Sequence, residues 1–265
     1  MKILLFLLLG ELFLHAKIYY SKVEPYEFRY VASNVSGEVE FIDENMIGKK
    51  LTSKAYLKID DELDKKELAY LEEKLSTIEN TVQVNEKILE NLKLSLEKKR
   101  ENYKQIENLK IKSRVEKDRE FYDLVASENA YLSTQKEINN LKTQIADLKL
   151  RRAQLKRSIK DKTLRDKGFV LYEIDVKVGQ VVNPSTPLVK IADTSKALLS
   201  IFVDEDDLEG IASKIIYIDS KKTNYKVSRV LHIADSKNIS KYMVQIVIDP
   251  PKVFSKLVKI ELKER

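Results

Sequence analysis

The sequence contains no cysteine, which excludes disulfides, thiol catalysis and thiolate metal centres. Histidine is nearly as scarce. His15 falls in an apolar leader and His232 stands alone, so there is no imidazole cluster to hold a metal or relay a proton. Only 6 glycines and 5 prolines occur in 265 residues, and no proline lies between Pro25 and Pro184. So long a stretch without the residue that breaks helices favours uninterrupted helix. No apolar run reaches the roughly 20 residues that cross a bilayer. Neither sign of charge dominates: 48 basic residues against 42 acidic ones leave +6, and most of the chain interleaves Lys with Glu. That is the pattern of a solvated helix surface, and with no aromatic–basic module beside it nucleic-acid binding is not expected. The composition supports no catalytic or metal-ligating constellation, so the chain does not read as an enzyme.

What is present begins with an address. Met1 and Lys2 give a short positive start, Ile3 to Leu9 is unbroken apolar, and Leu12, Phe13 and Leu14 extend the run past Gly10 and Glu11. Ala16 supplies a small residue before a cleavage point, so residues 1–16 read as a secretory signal peptide and Lys17 as the mature start. The expected location is outside the cytoplasm. A retained N-terminal anchor is the other reading of the same run.

From Leu63 the pattern turns helical. Leu68, Leu71, Leu75, Ile78, Val82, Asn85, Leu89, Leu92, Leu96, Lys99, Tyr103 and Ile106 alternate by three and four. A second seam runs through Leu124, Tyr131, Ile138, Leu141, Ile145, Leu148, Leu155 and Ile159, with Arg152 as its polar exception. A repeat of 3.5 residues held this long specifies a coiled coil. Between the seams the register dissolves, and Ser113 followed by Glu116 makes a capping box for a second helix. The spacing therefore predicts a helical hairpin over 63–163 with its tip near 108–116. Folding back at residue 112 sets Asn85 opposite Asn139 and Leu75 opposite Leu148. Near the hairpin root Lys149, Arg151, Arg152, Lys156, Arg157, Lys160 and Lys162 gather with only Asp161 among the acids, which suggests either a solvated surface or contact with anionic lipid.

The segments flanking the hairpin repeat one another. Gly37 and Gly48 enclose ten residues, as do Gly168 and Gly179, and each half ends on an apolar-Lys-Ile strand followed by Asp, Leu57 to Asp60 and Leu188 to Asp193. Alternating Val39/Phe41 and Val170/Tyr172/Ile174 read as half-buried strands, and the four glycines as turns or bulges. Half-motifs this short cannot bury their own apolar faces. An antiparallel hairpin of equal arms brings them together.

Split halves flanking a heptad insert resemble the membrane fusion or periplasmic adaptor family, also called HlyD-like, over about residues 31–250. The resemblance implies an α+β fold: a long antiparallel coiled-coil hairpin inserted in a split lipoyl/biotinyl-like β-domain and followed by a small β-barrel. Its segments would be 17–62 (N-terminal strand segment and first half), 164–194 (second half) and 195–265 (barrel, its membrane-proximal part reduced or absent). The turn that carries the modified lysine in lipoyl domains is occupied here by the hairpin, so Lys167 is not expected to carry a cofactor. Asp204 to Asp207 lacks the spacing of a calcium loop and resembles the acidic turn after the family's first barrel strand. The resemblance further implies a transport accessory in the periplasm. It would join an inner-membrane transporter, of resistance-nodulation-division or ABC type, to a TolC-like outer-membrane channel, and self-associate into a ring, a hexamer. Channel contact would fall on the tip, where Lys104, Leu109 and Ser113 match the family's Arg, Leu and Ser in type or charge. An alternative from another class is an exported coiled-coil scaffold or adhesin dimerising through 63–162.

Overall fold

The structure, a computed structural model, describes residues 17–234 and 240–264; the signal-peptide assignment to residues 1–16 lies outside them. In chain order the elements are β1 (Ile18–Lys22), β2 (Glu24–Ala32), β3 (Gly37–Ile42), β4 (Leu57–Ile59), α1 (Glu62–Glu107) and α2 (Arg114–Asp161). There follow β5 (Thr163–Leu164), β6 (Val170–Ile174), β7 (Val181–Val182), β8 (Pro187–Val203), β9 (Ile215–Ile218), β10 (Lys221–Lys222), β11 (Val227–Ala234), β12 (Tyr242–Ile248) and β13 (Leu257–Lys263). The fold is α+β: one long helical hairpin and two small β-modules.

α1 and α2 hold 46 and 48 residues, so each arm runs about 70 Å at 1.5 Å per residue. Their seams meet within the chain. Leu71, Leu75 and Leu155 pack with Leu68, Ile145 and Leu148, and further out Val82, Ile138 and Leu141 pack with Ile78 and Leu89. One flank carries a ladder of cross-helix ion pairs: Glu72–Lys156 at 2.9 Å, Glu79–Lys149 at 2.9 Å, Glu86–Lys142 at 2.8 Å and Arg100–Glu128 at 2.7 Å. The α1 members are spaced by one heptad, one heptad and two heptads. The opposite flank holds Arg151–Glu67 at 2.6 Å, and the root holds Lys162–Asp64 at 3.1 Å. Exposed pairs of this kind contribute about 0.2–1 kcal/mol each, so the ladder sets register more than stability. It also accounts for the basic cluster. Five of its seven members are paired (Arg157 with Asp161), which leaves little free charge for an anionic surface there.

The polar layer differs from the expectation. Ile138 turns inward, its neighbour Asn139 is exposed, and among the described residues no hydrogen bond joins Asn139 to Asn85. One residue along a helix is a rotation of about 100°, enough to move a side chain from seam to surface.

At the hairpin root the two half-motifs complete one module. Sheet order is β5-β4-β3-β7, with β6 paired on β8. Each half's turn docks on the other half: Gly48 N–H donates to the Leu171 carbonyl (2.8 Å), Gly168 N–H to that of Leu51 (3.0 Å), and Gly179 N–H to that of Val39 (2.9 Å), while Gly37 pairs with Val182. Leu57, Ile59, Leu171, Leu188 and Ile191 fill the shared core. The tyrosine hydroxyl of Tyr56 donates to Asp166, closing the turn beside Lys167.

The glycines serve two purposes. Gly48, Gly168 and Gly179 have φ of 78°, 99° and 83°, where Cβ is costly, whereas Gly37 opens β3 in extended backbone. A Cβ on Gly37 would lie 2.6 Å from Cγ2 of Ile59, a fully buried side chain. Gly37→Ala is therefore expected to cost about 1–3 kcal/mol through overpacking. Gly48→Ala, which meets nothing within 4 Å, costs only about 1 kcal/mol of backbone strain. Melting curves of the two variants check the order.

β2 and β8 run on from this module into the second, where the sheets β1-β13-β9-β10 and β11-β12-β8-β2 enclose Leu199, Ile201, Ile216, Val244, Ile246 and Ile260. β1 pairs along its whole length with β13, so a strand near the start of the chain completes a barrel built mainly from its end. The acidic run forms a short 3-10 turn, Glu205–Asp207. Asp207 accepts from Lys17 (2.7 Å) and from the Tyr19 hydroxyl (2.9 Å), and Lys241 lies 3.8 Å from Asp204.

Candidate functional site at the hairpin tip

Beyond Arg100–Glu128 the ladder gives way to aromatic packing. The Tyr103 and Phe121 ring centroids are 5.7 Å apart, and Tyr122 lies 5.8 Å further on. α1 then ends at Glu107, and six residues turn the chain into α2. Helix ends leave backbone groups without partners, and here local polar groups satisfy several of them. The Ser113 hydroxyl accepts from Glu116 N–H (3.3 Å) while a Glu116 carboxylate oxygen accepts from Ser113 N–H (2.9 Å), a complete capping box. Lys117 donates to the Glu107 carbonyl (2.8 Å) and Leu109 N–H to that of Ile106 (3.1 Å). Lys112 adds an ion pair to Glu116 at 3.1 Å.

With those groups engaged, the tip presents apolar side chains. Leu109 is 44% exposed, Val115 78% and Ile111 95%. Leu109, Ile111 and Val115 fall within seven residues of one another, belong to no core cluster, and leave an exposed apolar patch at the end of the arm. Residues 104–117 carry five basic side chains against two acidic ones, Glu107 and Glu116. The tip is thus an apolar knob in a positive collar, suited to a groove whose rim is acidic.

Of the three residues assigned from sequence, Leu109 and Ser113 lie in the turn and Lys104 sits just below it, in the last turn of α1. The Ser113 hydroxyl is already engaged, since it also donates to Glu116 at 3.0 Å. Ile111 and Val115 were missed. Their signal was legible: isolated aliphatics in a polar stretch where the heptad has lapsed. Among the described residues no group of acidic or imidazole side chains is arranged to hold a metal ion.

The capping box has a pH signature. Hydrogen bonds from Ser113 and the charge of Lys112 hold the Glu116 carboxyl at about 2, below its ordinary 4.5. A carboxylate depressed on folding contributes stability above its ordinary value and loses it as pH falls towards the depressed one. The Ser113 and Glu116 amide NMR signals should therefore titrate with a midpoint near 2. A midpoint near 4.5 would mean that the box does not form in solution.

No protein-family model matches this chain, and no curated protein does. Solved structures do. MacA from Actinobacillus actinomycetemcomitans superposes with a TM-score of 0.71 at 15% identity, over 93% of this chain and 78% of that one. A membrane fusion protein from Streptococcus pneumoniae gives 0.60 at 14% identity, over 94% of this chain and 100% of the other. A putative efflux transporter from Bacteroides eggerthii gives 0.52 at 16% identity, over 94% and 69%. The shared fold takes in the hairpin and both β-modules of this chain, and one of the structures that has it is a membrane fusion protein.

Proposed function

We propose that this chain, which has the fold of the membrane fusion proteins, is a non-catalytic periplasmic adaptor of a tripartite efflux or secretion system. In this reading the signal peptide exports it. The β-modules face an inner-membrane transporter, of resistance-nodulation-division or ABC type, and self-associated copies form a ring, a hexamer. The hairpins reach a TolC-like outer-membrane channel. The observation that carries the reading is the tip: Leu109, Ile111 and Val115 stand exposed at the end of an arm of about 70 Å. A rod of that length with a stripped apolar end transmits contact across a distance. It offers nothing to a small substrate.

The rival, a scaffold dimerising through 63–162, would use the same seams between chains. The lapse of the heptad repeat over 108–113 and the capping box that starts a new helix at Ser113 favour the single-chain hairpin, because a continuous rod needs neither. Purification of the tagged full chain from detergent-solubilised membranes of its own cells tests the proposal. A transporter and an outer-membrane channel should be recovered with it. Recovery of further copies of this chain alone would overturn it.

A further inference from the structure

The barrel sheet β1-β13-β9-β10 buries one face and leaves the other uncovered. Val258, Ile260 and Leu262 point into the core, so strand alternation sends Leu257, Lys259, Glu261 and Lys263 outward. The register extends that face across the sheet. Lys22 lies beside Leu257, Tyr20 beside Lys259, and Ile18, Glu261, Tyr217 and Lys222 form one row. A solvated sheet face is ordinarily polar. This one keeps Ile18 at 50% exposure, Tyr20 at 63% and Leu257 at 63%.

Four lysines on this face oppose one carboxylate. Glu261 is buried between Lys259 (2.8 Å) and Lys263 (3.1 Å), which consume its charge. Among the described residues Lys22 and Lys222 have no carboxylate within 4 Å.

The geometry points to this face as a docking surface for an anionic lipid bilayer. Lysines with tyrosine and aliphatic residues between them suit the headgroup boundary, where long stems lie along acyl surface and ammonium groups reach phosphate. The surface is a sheet face without a keyed groove, which fits a fluid partner better than a shaped one. Seated in this way, the barrel rests on the bilayer by contacts independent of the hairpin tip.

Flotation of the purified full chain with phosphatidylethanolamine vesicles, with and without phosphatidylglycerol, tests this. The chain should float only with the anionic vesicles. Lys22→Glu with Lys222→Glu should weaken partitioning about tenfold or more. Tyr20→Ser with Leu257→Ser should weaken it too, with unchanged circular dichroism in both cases. The charge-matched control Lys54→Glu with Lys177→Glu, in the split module, should bind as the parent does. Three outcomes would overturn the inference: no flotation of the parent chain, equal flotation with both vesicle types, or equal loss in the control. Absence of flotation together with loss of transporter co-purification in the Lys22/Lys222 variant would assign the face to an acidic protein instead.

Discussion

Leu109→Asp combined with Ile111→Asp is expected to abolish both transport and recovery of the outer-membrane channel, with circular dichroism and Tm almost unchanged. Buried apolar anchors at an interface contribute about 2 kcal/mol or more each, so the pair should lower channel affinity at least about a hundredfold. Neither side chain supports the hairpin. Leu109 lies in the turn and Ile111 is almost wholly in solvent, and surface changes of this kind fall within about 0.5 kcal/mol in stability. Ser113→Ala should behave differently. Removing the cap costs about 1 kcal/mol and frays the start of α2, so any loss of transport would come with a structural change. Retained transport in the aspartate pair would move partner contact from the tip to the hairpin sides.

The second large effect concerns connectivity. The chain has no cysteine, so Leu75→Cys with Leu148→Cys places the only two thiols in one layer of the seam, within the cluster that holds Leu71 and Leu155. Oxidation should close a bond within a single chain at any dilution, since the two positions are held together by the hairpin itself. Adducts confined to differently tagged chains would replace the hairpin by a dimeric rod. The closed bond should also protect the split module, because β4 and β5 pair where the two helices return.

Local rules made part of this legible. The seams of Leu and Ile predicted a hairpin over 63–163, and the helices span Glu62 to Asp161 because heptad spacing, capping residues and missing proline all act within a few residues. The glycine repeat pointed to halves that complete each other, and the Gly48–Leu171 and Gly168–Leu51 bonds show how they do so. Long-range pairing was not legible. Nothing near Ile18 announces β13 as its partner, since strand pairing is decided by the finished sheet. The Asn85–Asn139 layer failed because a one-residue difference in register changes which side chain enters the seam. At the tip, sequence singled out Lys104, Leu109 and Ser113. Ile111 and Val115 were legible as aliphatics in a polar stretch, but the exposure that makes them one apolar surface with Leu109 is set by the capped turn and appears only in the fold.

A photo-crosslinking amino acid at Ile111, activated in intact cells, tests the adaptor reading most directly. Its side chain is the most exposed apolar group of the tip and touches no structural neighbour whose loss would confuse the result. The account predicts a single major adduct between this chain and an outer-membrane channel protein, absent when the same group replaces exposed Leu150 near the hairpin root. Adducts only to a second copy of this chain would contradict it.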